Sequence, residues 1–92
     1  MIRLKNEQQI AGIRTSCKML SAMYRELLPL VMPGVETREL DRWARVWIKK
    51  AGGKPAFLGY GPKNNPFPAA LCISINQEVI HGIPSKRRIA QG

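Results

Sequence analysis

The sequence predicts an α+β fold in which two N-terminal helices pack on an antiparallel hairpin. Three observations carry that prediction. Apolar residues recur at three- and four-residue spacing from Ile10 to Val31 and again from Leu40 to Ala51, the period of an amphipathic helix. Leu71, Ile73 and Ile75 alternate with Cys72 and Ser74, the period of a strand. Between these patterns, residues 54–68 hold four prolines and follow no period, which marks a loop of defined shape.

The first helix is expected over about 6–31. Asn6 is a suitable N-cap, and Gln9 three residues later completes a capping-box pattern. Ile10, Ile13, Cys17, Leu20, Tyr24, Leu27 and Val31 then form one apolar stripe, with Cys17 read as a small core residue. Pro29 should loosen the last turn, and Met32-Pro33-Gly34 stops it. The stripe also obeys a heptad, so a coiled coil competes. Its flanking positions lack an orderly exchange of opposite charges, which favours a packed scaffold helix.

The second helix is expected over about 38–51, capped by Thr37. Glu39 and Asp41 lie in its first turns, where the helix dipole favours negative charge. Leu40, Trp43, Ala44, Trp47 and Ala51 make its inner face, and Gly52-Gly53 ends it. Arg38, Arg42, Arg45 and Lys49 form a basic stripe on the opposite side. Lys86-Arg87-Arg88 is a second basic cluster.

The loop at about 54–68 carries the aromatic groups Phe57, Tyr60 and Phe67, which by themselves read as anchors on a small core. The hairpin is expected over about 70–81, with Asn76-Gln77 as a two-residue turn. That register sets Ile75 opposite Glu78, Ser74 opposite Val79, Ile73 opposite Ile80, and Cys72 opposite His81. Directly opposed residues point to the same face of a sheet. A thiol and the chain's single imidazole would then stand side by side, as in the wall of a site.

Composition bounds the function. At 92 residues the chain is one small domain at most. Apolar content of 45% suits a globular chain, and no apolar run approaches the ~20 residues that span a bilayer. No secretory leader is visible at the N-terminus, and two isolated cysteines fit a reducing compartment, so the cytoplasm is expected. A formal charge of +9 favours acidic partners such as RNA. With one His, one Asp and five Glu scattered over helices and turns, no metal site can be drawn within the chain. A Cys72–His81 nucleophile lacks an evident orienting Asp or Asn and is set aside.

The run from Cys72 to Pro84 also resembles the hairpin of the type I methionine aminopeptidases. Phe57-Leu58-Gly59-Tyr60, Pro66-Phe67-Pro68 and the segment Pro33 to Asp41 resemble further parts of that family, in the same order. The resemblance implies that residues 1–92 form the N-terminal part of a single metallopeptidase catalytic domain of pita-bread fold, ending before the metal-ligand segments. It implies removal of the initiator methionine from nascent polypeptides, with two divalent ions (Co, Mn, Fe or Zn) in the complete enzyme and none held by this chain alone. His81 would contact the scissile amide as the catalytic residue of this segment. Cys72 and Tyr60 would line the methionine pocket, with Phe57 and Phe67 at pocket positions where the family varies. The complete protein is expected as a monomer, away from membranes, inactive as the 92-residue piece. A non-enzymatic alternative reads the Arg38/Arg42/Arg45/Lys49 ridge as a contact for RNA or the ribosome surface.

Overall fold

Asn6 and Gln9 exchange hydrogen bonds at the start of the first helix. The Asn6 side chain accepts from the Gln9 N–H at 2.8 Å and the Gln9 side chain accepts from the Asn6 N–H at 2.9 Å. These satisfy two of the donors that a helix start leaves open. In this computed structural model, which describes residues 2–92 and leaves Met1 outside, helix α1 spans Glu7–Leu27. Pro29 lies in a single 3-10 turn, Leu28–Leu30, so the α-helix ends one turn before the apolar stripe does.

The stripe itself is not the packed face. Ile10, Ile13, Leu20 and Tyr24 are exposed, as is Cys17, and only Leu27 of the seven is buried. The buried side of α1 runs instead through Met23 and Leu27, with Met19 and Ala22 half-covered beside them. Spacing shows that one side of a helix is apolar; it does not show what is present to cover it.

Helix α2 spans Thr37–Lys50 and buries Leu40 and Ala44, with Trp43 and Trp47 half-buried, while Ala51 is exposed. The Trp47 indole N–H donates to the Glu26 carboxylate, tying α2 to α1. Thr37 is not the cap. Glu36 holds the N-cap position without a side-chain bond, and the Thr37 hydroxyl donates to the Ser85 carbonyl and accepts from the Ser85 N–H. A distant segment outcompetes the local cap because residues 85–89 run antiparallel to 34–38. Thr37 N–H donates to Arg87 O, Ile89 N–H to Val35 O and Gly34 N–H to Ile89 O. Glu36 and Arg88 form the bridge pair of this contact.

The expected hairpin does not form as a pair of strands. Among the described residues no strand is present beyond the isolated Glu36–Arg88 bridge. The turn falls where the sequence puts it, with Glu78 N–H donating to Ile75 O at 3.0 Å and Asn76 at φ 52°. Beyond the turn the register differs. Ile73 N–H donates to Gly82 O at 2.9 Å rather than pairing with residue 80. Side chains replace the rest of the ladder: Glu78 Oε1 accepts from Ile75 N–H and Ser74 Oγ accepts from Gly82 N–H. Gly82 permits this register, because its backbone lies so close to Ile73 that an added Cβ would sit 2.0 Å from the Ile73 oxygen.

Candidate functional site

The loop between α2 and the turn is shaped by its own backbone. Gly59 N–H donates to Phe67 O and Phe67 N–H to Tyr60 O, both at 2.8 Å, closing residues 60–67 into a lobe. Gly59 and Gly61 take φ of 81° and 106°, which a side chain tolerates poorly. Closure brings the Phe57 and Phe67 rings edge to face, with centroids 6.4 Å apart.

Facing this lobe is the segment 71–83. Leu71, Ile73 and Ile75 are half-buried while Cys72 and Ser74 are exposed, so the strand-like alternation survives without a ladder. Cys72 thereby faces the lobe. His81 reaches the same space by another route than a regular strand, since its φ is 52° and the left-handed backbone turns its side chain out of line. Phe57, Tyr60, Phe67, Cys72 and His81 all line one cleft of about 660 Å³, with Ile83 at its side. Thus the five residues singled out from sequence share one cavity, although the register that suggested it for Cys72 and His81 is not the observed one.

The cleft is mostly apolar, with one thiol, one phenol, one imidazole and the Asn65 carboxamide as its functional side chains. Such a surface suits an unbranched apolar chain and leaves the imidazole to contact a polar group at its end. Among the described residues no group of three or more His, Cys, Asp or Glu side chains is close enough to hold a metal ion.

The basic stripe on α2 is less uniform than its spacing suggests. Arg45 Nε donates to Asp41 Oδ2 at 2.9 Å, and its Nη2 donates to Pro68 O. Arg45 therefore turns toward the pocket loop rather than to open solvent. Arg38 Nε lies 3.1 Å from Glu36 Oε1, an ion contact without hydrogen-bond alignment. Arg42 and Lys49 are exposed. Sequence reading missed Asp41 as part of the site. The Asp41/Arg45 spacing of four was a readable signal for an ion pair; the contact to residues 68–71 was not.

Relatives show what this assembly belongs to. A methionine aminopeptidase of Treponema pallidum is 53% identical over 92 residues, all of this chain and 34% of its own length. One of Clostridium acetobutylicum is 46% identical over 89 residues, 97% of this chain and 34% of its own. The crystal structure of methionine aminopeptidase from Rickettsia prowazekii superposes with a TM-score of 0.91 at 30% identity, covering 100% of this chain and 36% of that one. The chain thus spans about a third of the length of the relatives it matches. The family model described as metallopeptidase family M24 matches residues 11–92, and the chain belongs to that family.

Proposed function

We propose that this chain supplies the methionine side-chain pocket and the amide-facing histidine of an initiator-methionine aminopeptidase. The observation that carries the reading is the convergence of Phe57, Tyr60, Phe67, Cys72 and His81 on one apolar cleft. Similarity to methionine aminopeptidases along the whole chain supports it. In this reading the thioether of a nascent chain's first residue lies against Cys72 and the aromatic lobe. The His81 imidazole hydrogen-bonds the scissile amide and steadies it as the carbonyl carbon becomes tetrahedral.

M24 metallopeptidases use divalent metal, and the described residues here do not fit a metal site. The 92-residue chain is expected to release no methionine from a Met-Ala-Ser peptide, even with Co²⁺ or Mn²⁺ added.

A chimera provides the test: residues 1–92 replace the matching third of the Treponema pallidum relative. It should cleave Met-Ala-Ser, and His81→Ala should lower kcat about 10²–10⁴-fold, the usual reach of a proton-handling group. Cys72→Phe should raise KM by filling the pocket. A folded chimera that is inactive, or one indifferent to His81→Ala, would overturn the proposal.

The ridge reading, as an RNA or ribosome contact, has narrower support. With Arg38 and Arg45 engaged by Glu36 and Asp41, it rests mainly on Arg42 and Lys49. It requires RNA binding that weakens steeply with salt and with Arg42→Glu.

A further inference from the structure

We propose that Asp41 and Arg45 are positioning residues that set the shape of the pocket from helix α2, an inference that rests on the pocket reading above. Asp41 is the chain's single aspartate, and only 4% of it is exposed. A carboxylate is this deeply covered only when its oxygens are well supplied with donors. Oδ1 accepts from Ala70 N–H at 2.8 Å and from Leu71 N–H at 2.7 Å. Oδ2 accepts from Arg45 Nε at 2.9 Å, and Arg45 Nη2 continues to Pro68 O at 2.6 Å.

Three of these bonds grip residues 68, 70 and 71, and the fourth couples the two side chains that make them. Phe67 and Cys72, which line the cleft, flank the gripped segment directly. In a regular strand successive N–H groups point to opposite edges. Here two successive N–H groups converge on one oxygen, so the backbone bends at Ala70-Leu71 as it enters the wall. No strand ladder fixes this bend. The carboxylate does so instead, with charge-assisted bonds anchored on a helix. Arg45 offsets the buried charge and at the same time holds the carbonyl next to Phe67. Neither Asp41 nor Arg45 lines the cleft; the pair acts through the backbone of residues 68–71.

Thiol chemistry at Cys72 reads the pocket's shape without requiring peptidase activity. In a Cys17→Ser chain, the rate of Cys72 modification by butyl methanethiosulfonate is divided by the rate with the methyl reagent. A formed pocket should favour the butyl reagent by at least about fivefold, well within what burying three methylenes allows. Asp41→Ala should bring the ratio to about one while helical circular dichroism persists. Asp41→Asn should retain most of the preference, because its amide oxygen still accepts from Ala70 and Leu71. Arg45→Met should lower the ratio partway.

A folded Asp41→Ala chain with the parent ratio would overturn the inference. If that variant loses its helices, Arg45→Met decides, and an unchanged ratio there overturns it equally. A parent ratio of one counts against the pocket reading itself. The clamp is then judged by amide exchange at Ala70 and Leu71, which should quicken at least tenfold in Asp41→Ala. Unaltered exchange at both amides would sink it.

Discussion

At Gly82 one methyl group separates a formed pocket wall from a broken one. A Cβ there would lie 2.0 Å from Ile73 O and 2.8 Å from Ser74 Cα, both backbone atoms with little room to yield. Gly82→Ala should therefore destabilise the chain by about 1–3 kcal/mol, the usual cost of overpacking. A urea titration measures it, and an unchanged midpoint would refute the close approach. Its neighbour His81 presents the reverse case. At φ 52° a non-glycine side chain costs roughly 1–2 kcal/mol. His81→Gly should raise stability by about 1 kcal/mol on that basis while deleting an imidazole that lines the cleft. Lower stability in His81→Gly would mean the imidazole contributes more contacts than strain. That residues 72 and 81 share one cleft was legible because both flank one turn. Their register was not, since it includes the close Gly82–Ile73 approach, a contact no periodicity encodes.

Elements were legible in proportion to how local their causes are. The Asn6–Gln9 capping box spans three residues and forms as read. Asn6→Ala should cost about 1 kcal/mol and lower helical circular dichroism, because the Gln9 N–H loses its side-chain acceptor. Full retention of the signal would show that α1 is held by Met23 and Leu27 alone. Thr37 was misread for the complementary reason: its partner, Ser85, lies 48 positions away. The hairpin fails similarly. A two-stranded ribbon is marginal by itself, and here Ser74 and Glu78 side chains take bonds that a ladder would otherwise make. Asp41 looked like an ordinary dipole-matching acid and Arg45 like part of a basic stripe. Both belong to the tertiary network around residues 68–71.

Charge and size act on the molecule as a whole. A compact chain of this length has a radius of gyration of about 12 Å, whereas this one has 15.2 Å and extents of 44 × 32 × 23 Å. Met23, Leu27, Leu40, Ala44, Ala69 and Ala70 are its buried apolar residues among those described, and three of the six are alanines. Against this slight core stands a net charge of +9. At about 0.01 M salt the screening length is ~30 Å, comparable with the molecule itself, so the basic surplus makes the summed long-range interaction repulsive. At about 0.1 M it is ~10 Å, and distant repulsion fades. The Glu36–Arg38 and Asp41–Arg45 contacts, at 3.1 Å and 2.9 Å, lie far inside either length and lose less. Stability to urea should therefore rise between those two salt concentrations. Arg42→Glu, which lowers the surplus by two at an exposed site on the crowded basic side of α2, should flatten that rise. If added salt instead weakens the parent chain, the ion pairs outweigh the long-range repulsion, and the basic surplus is not what limits this fold.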